Sequence, residues 1–160
     1  MNMYALPIPT IDWNTILPVL LVAFGGLFAL IVEMVSPKRN NGAIIFSGSV
    51  FVLAAIGHLG WQVMAGLPYG ETFGEMAVRD PFAIIMQLLL CFVALFTLFF
   101  SEGYMQEKRI PFGEFYPMML WATSGAMIMA STKSLLMLFV GLEVLSIALY
   151  ALAGLAKFES

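Results

Sequence analysis

LLMLFVGLEVLSIALYALAGL, residues Leu135–Leu155, is a 21-residue run of apolar side chains interrupted by one carboxylate, Glu143. At 1.5 Å of rise per residue, such a run crosses the roughly 30 Å of a bilayer core as an α-helix. The apolar residues are continuous rather than alternating, which excludes a strand of a membrane β-barrel.

Four further runs share this character. Trp13–Val32 is uncharged, and Glu33 and Ser36-Pro37 follow it as a stop. Ala43–Leu67 is uncharged and contains His58. Phe82–Phe100 opens behind Asp80-Pro81, a pairing that favours a helix start. Phe115–Ala130 is shorter and carries Thr123, Ser124 and Gly125. The expected architecture is an all-α, polytopic membrane bundle of five helices, about 13–35, 43–67, 82–101, 115–131 and 134–155, forming a single membrane domain over 1–160.

Composition agrees with this reading. Hydrophobic residues make up 61% of the 160 and charged residues 11%, against about 25% charged in a soluble domain. Mean hydropathy is +0.95. A net charge of −3 with seven Lys and Arg excludes a nucleic-acid footprint, which needs clustered base. A single cysteine, Cys91, forms no internal disulfide, and a single histidine, His58, supplies no bis-histidine haem site. No Walker A or G-x-G-x-x-G segment is present, so no nucleotide site is expected. G-x-S-x-G and H-E-x-x-H are absent too, and none of the five runs contains aspartate. The twelve methionines read as pliable packing rather than metal ligands.

Lysine and arginine set the expected orientation. Lys38, Arg39, Lys108, Arg109 and Lys157 fall on one side, Arg79 and Lys133 on the other. The richer side is expected to be cytoplasmic, which places the N-terminus outside and the C-terminus inside. The first run is too long for a cleaved signal peptide and lacks a basic leader, so it reads as a retained helix. Tyr4, Trp13, Trp61, Tyr69, Tyr104 and Tyr116 fall near span ends, as interface aromatics do; Trp121 and Tyr150 fit that rule less well. The segment Pro68–Asp80 reads as a solvated connection.

Polar residues at depth are the candidates for chemistry. Glu143 lies about 13 Å into its run. A charged carboxylate at mid-bilayer costs about 2.5–3.5 kcal/mol, and no Lys or Arg stands one turn away on its own helix. It must therefore hold a proton or face a cation on another helix. Either state suits proton handling; the bland alternative is a protonated packing hydrogen bond. Ser146 could share a hydrogen bond with it, and Gly141 lets a neighbouring helix approach. Glu33 reads as an interfacial acid paired with Lys38 and Arg39, or as a carboxylate at a proton entry point. His58 reads as a hydrogen-bonded packing residue, or as a proton relay. Gln87 and Thr97 read as packing or backbone-bonding groups, and Ala122, Ala126 and Ala130 with Gly125 as a small-residue packing face.

The run from Gly141-Leu142-Glu143 through Leu145-Ser146, Leu149-Tyr150 and Leu152-Ala153-Gly154 resembles the fifth membrane helix of the antiporter-like subunits of respiratory complex I, the subunit N group most of all. Asp80-Pro81-Phe82, Gly113-Glu114-Phe115-Tyr116 and Asp12-Trp13 with Pro18 also resemble the openings of its helices. Ala148 departs from the proline expected there. The resemblance implies a membrane-arm subunit of NADH-quinone oxidoreductase in the cell inner membrane, translocating protons without redox chemistry of its own. NADH, FMN, iron–sulfur clusters and quinone would bind partner subunits. Glu143 would pair with a lysine on a later helix, and the chain would be the N-terminal portion of a longer subunit. A subunit of a cation/proton antiporter, or a small structural membrane protein, are the alternatives.

Overall fold

The computed structural model describes residues 11–36, 41–108 and 113–157. Five helices run in chain order, α1 Trp13–Val35, α2 Gly42–Met64, α3 Pro81–Lys108, α4 Phe115–Ala130 and α5 Leu135–Lys157. Two short strands, β1 Gly70–Thr72 and β2 Ala77–Arg79, separate α2 from α3. The chain is an all-α bundle with one small hairpin at its end. Among the described residues four helices have the length and apolarity to cross a bilayer: α1, α2, Pro81–Gly103 of α3, and Leu135–Leu155 of α5. At 16 residues, α4 is about 24 Å long, shorter than a full hydrocarbon core.

Helix starts follow local chemistry. Asp12 caps α1: its carboxylate accepts from the Asn14 backbone N–H at 3.1 Å and from the Thr15 hydroxyl at 2.9 Å. Asp80 does the same for α3, accepting the Ala83 N–H at 2.7 Å, with Pro81 at the first helical position where no N–H is needed. Thr97 turns its hydroxyl back to the Val93 carbonyl at 2.8 Å, the backbone-bonding role expected of it.

Helices α1 to α4 close into a ring, α1 on α2, α2 on α3, α3 on α4 and α4 on α1. The core inside it is drawn from all four, including Val22, Val52, Leu59, Cys91, Leu98, Leu120 and Met127. Helix α5 stands outside the ring, packed on α4 alone among the larger helix contacts. The short helix α4 is thus flanked by α1, α3 and α5, and none of its residues is exposed. Trp121 joins α4 to α1, its indole Nε1 donating to the Ala23 carbonyl at 3.1 Å. This internal bond explains why Trp121 stands apart from the span-end aromatics. Trp121→Phe loses both the bond and the pyrrole half of the indole that packs on Gly26, so it is expected to cost about 2 kcal/mol in detergent unfolding of the purified protein.

Two sequence expectations are corrected. Tyr116 is not an interface aromatic: it is fully buried beneath the other end of the ring. The first turn of α4 faces the core because α1 and α3 both cover it. Trp13, Trp61 and Tyr69, by contrast, are exposed at the hairpin end. Pro68–Asp80 is also more than a solvated connection. The strands pair antiparallel, with Gly70 opposite Arg79 and Thr72 opposite Ala77, around a turn in which Phe73, Gly74 and Glu75 all have positive φ. Thr72, Val78 and Arg79 are buried beneath the hairpin. Tyr4, Lys38, Arg39 and Arg109 lie outside the described residues.

The hairpin ties together the starts of three helices. Arg79 meets Asp12 at the head of α1 at 3.0 Å. Asp80 leads directly into α3. The Val78 N–H donates to the Ser131 carbonyl at 2.8 Å, and the Lys133 N–H to the Glu75 carbonyl at 3.3 Å, just ahead of α5. Lys133 also reaches Glu71 at 2.6 Å. The hydrogen bond and the charge of Glu71 raise the Lys133 pKa above its usual 10.5. Because the folded value is the raised one, this link is intact below pH 10.5 and is lost as pH rises through the folded value. Thermal melts between pH 6 and 9 are therefore expected to show no Lys133-dependent slope when wild type is compared with Lys133→Met.

Candidate functional site

Glu143 is positioned by the crossing of α4 and α5. At this crossing the two backbones touch. A Cβ on Gly125 would lie 2.7 Å from the Leu145 amide nitrogen and 2.8 Å from the Gly141 carbonyl oxygen. A Cβ on Gly141 would lie 2.9 Å from the Gly125 carbonyl oxygen. Only glycine at both positions permits this approach, as Gly141 led the sequence reading to expect. Ala148, two turns further along, is buried on the same side of α5.

The crossing fixes where Glu143 points. Two residues beyond Gly141, it is turned about 200° around the helix. It is exposed, on the side of α5 away from α4. Phe139, Leu142, Ile147 and Tyr150 are exposed with it. Among the described residues Glu143 makes no hydrogen bond or ion pair, and Ser146 does not reach it. The carboxylate thus lies mid-helix on a broad apolar face that no described helix covers. Gly125→Ala places a methyl against backbone, which no rotamer change relieves. It is expected to cost about 2 kcal/mol in unfolding of the purified protein, and Ser124→Ala on the same helix much less.

The other polar candidates lie at the ends of the bundle. Glu33 is half-buried at the end of α1, with its side chain over Gly113: a Cβ there would lie 2.6 Å from Glu33 Cγ. It faces the turn that starts α4, so the structure brings Glu33 to α4 and not to Glu143. His58 stands in α2 beside Trp61, ring centroids 5.6 Å apart, at the hairpin end. Among the described residues no group of three His, Cys, Asp or Glu is arranged to hold a metal ion.

Sequence reasoning missed the Arg79–Asp12 pair and the polar contacts around it. One signal was available. Pro18 lacks an N–H, so the Asn14 carbonyl one turn before it loses its helical donor. Gln62, 3% exposed, supplies the replacement, its Nε2 donating to that carbonyl at 2.6 Å.

No family model matches the chain. Curated proteins do match along nearly all of it. The chain is 33% identical over 148 residues to the NADH-quinone oxidoreductase subunit N of Trichlorobacter lovleyi, covering 91% of the chain and 29% of the relative. Identity is 32% over 158 residues to subunit N of Chloroflexus aggregans, covering 96% and 31%. It is 34% over 158 residues to subunit N 1 of Herpetosiphon aurantiacus, covering 95% and 30%. The chain spans about 30% of the length of these curated relatives.

Proposed function

We propose, from the similarity to subunit N, that this chain is the N-terminal membrane part of a subunit N-like protein of an NADH-quinone oxidoreductase, and that Glu143 takes part in proton translocation. The single observation that carries the reading is the lone carboxylate at mid-helix on the uncovered face of α5. Facing acyl chains, a charged carboxylate costs about 2.5–3.5 kcal/mol. A second protein surface with a cation or a proton-sharing group removes that cost.

The mechanism follows from charge. A carboxylate beside a lysine favours the charged lysine, and drawing the two apart disfavours it. Glu143, on the side of α5 turned away from the Gly125–Gly141 crossing, is one half of such a pair. Oxidation of NADH and reduction of quinone belong to partner subunits, which hold NADH, FMN, iron–sulfur clusters and quinone. The chain contributes the carboxylate, its rigid support and the apolar face around it.

In this reading α4 is a fifth crossing, short for a bilayer but with none of its residues exposed. The hairpin end, which Arg79 and Lys133 share, is taken as the outer one, because the sequence puts the larger number of Lys and Arg on the other side. The membrane is the cell inner membrane.

Purification of the full protein from its native membrane in mild detergent tests the reading. NADH:quinone reductase activity that co-purifies, with NADH-driven proton uptake after reconstitution, is the expected result. A sodium-dependent proton flux without NADH oxidation would instead make it a subunit of a cation/proton antiporter. Absence of both activities from an intact assembly would reduce it to a structural membrane protein.

A further inference from the structure

Helices α1 and α5 both pack on α4 and share no extensive contact of their own. Near the hairpin end this leaves a half-enclosed groove of about 210 Å³. Ile16, Val19 and Leu20 line it from α1, Met137 from α5, Ile128 from α4 and Met76 from the hairpin. The two hydroxyls at its edge are already committed. Thr15 donates to the Asp12 carboxylate at 2.9 Å, and Ser131 to the Met127 carbonyl at 2.8 Å. The hairpin is pinned over the groove, because the Val78 N–H donates to the Ser131 carbonyl at 2.8 Å. An occupant therefore gains apolar contact there and no hydrogen bond.

Depth and size narrow the occupant. Exposed Trp13, at the head of α1, marks the membrane–water boundary. Ile16 to Leu20 lie about 5 to 10 Å further along the helix, where acyl chains begin. One helical turn, about 10 Å across with its side chains and 5.4 Å tall, fills about 400 Å³. The groove is too small for a helix and has room for a single chain.

The charges above it narrow the headgroup. Lys133 and Glu71 neutralise each other at 2.6 Å, and Arg79 and Asp12 at 3.0 Å. Glu75, exposed and next in sequence to Met76, and Asp80 at the head of α3 are left as the surplus. A headgroup bearing an ammonium is drawn to such a rim, and one of net negative charge is repelled.

We propose that the groove binds one acyl chain of phosphatidylethanolamine, with the headgroup ammonium beside Glu75. The site is independent of any role of Glu143 in proton transfer.

Photolabelling of the complete assembly tests this. The assembly, purified in mild detergent and stripped of lipid, is given phosphatidylethanolamine or phosphatidylglycerol carrying the same photoactivatable acyl chain, and attachment sites are mapped by mass spectrometry. The expected result is saturable labelling at Met76, Ile128 or Met137, roughly threefold stronger with phosphatidylethanolamine, the scale of one exposed ion pair. Ile16→Trp, which fills the groove, should lose the label. Glu75→Gln, a change on an exposed side chain, should keep the label and lose the preference between the two lipids. Equal labelling by both lipids in the wild type would overturn the proposal. So would a preference that survives Glu75→Gln, or a groove that takes no label because another part of the assembly fills it.

Discussion

Glu143→Gln is expected to lower proton translocation per NADH oxidised by on the order of tenfold or more in the assembled complex, the scale at which a proton-transferring side chain acts. Glutamine keeps the shape of glutamate and most of its hydrogen bonding, but it neither carries the charge nor releases a proton. The comparison therefore separates a proton-handling role from a packing role. On the open face of α5 no described neighbour depends on Glu143 for packing, so the bundle should fold unchanged. Proton pumping in membrane vesicles, measured beside NADH oxidation, provides the readout. Wild-type stoichiometry in Glu143→Gln would leave the carboxylate a packing group.

The second large effect is structural. Arg79→Ala removes both bonds to the Pro68 carbonyl and the ion pair with Asp12. Breaking a buried pair by deleting one partner costs about 3–5 kcal/mol. Asp12 is 28% exposed and keeps its bonds to Asn14 and Thr15, so the low end, about 3 kcal/mol, is expected. Arg79→Lys should recover part of this, since one ammonium does not reproduce the forked contact to carbonyl and carboxylate. Thermal unfolding of the purified protein in detergent gives the comparison. A change within about 0.5 kcal/mol for Arg79→Ala, the scale of an ordinary surface substitution, would show that the hairpin is not held through this residue.

Much of the helix layout is legible in the sequence because a bilayer imposes length and apolarity on any crossing segment. Asp80-Pro81 marks the start of α3 as the residues suggest, and Asp12 that of α1 as the resemblance implies, through carboxylate caps that act within three residues. The facing of Glu143 is partly legible as well: once Gly141 is taken as the contact with a neighbour, residue 143 must point away from it. The hairpin was not legible. Its strands are three residues each, too short for alternation to register, and they are held by contacts to residues about 50 to 60 positions away. The inward turn of Tyr116 was hidden for a related reason. A tyrosine near a span end reads as an interface residue unless the helices covering that end are known, and α1 and α3 cover it. Trp121 is the converse case, an aromatic whose mid-helix position marks a partner on another helix but does not identify the Ala23 carbonyl.

The position of the Glu143 carboxylate in a map of the complete, membrane-embedded assembly tests the central claim most directly. The account predicts a protein surface over α5, with a lysine or arginine nitrogen within about 4 Å of the carboxylate, or a polar group sharing its proton. A carboxylate open to bulk water, or lying against acyl chains with no such companion, would contradict it.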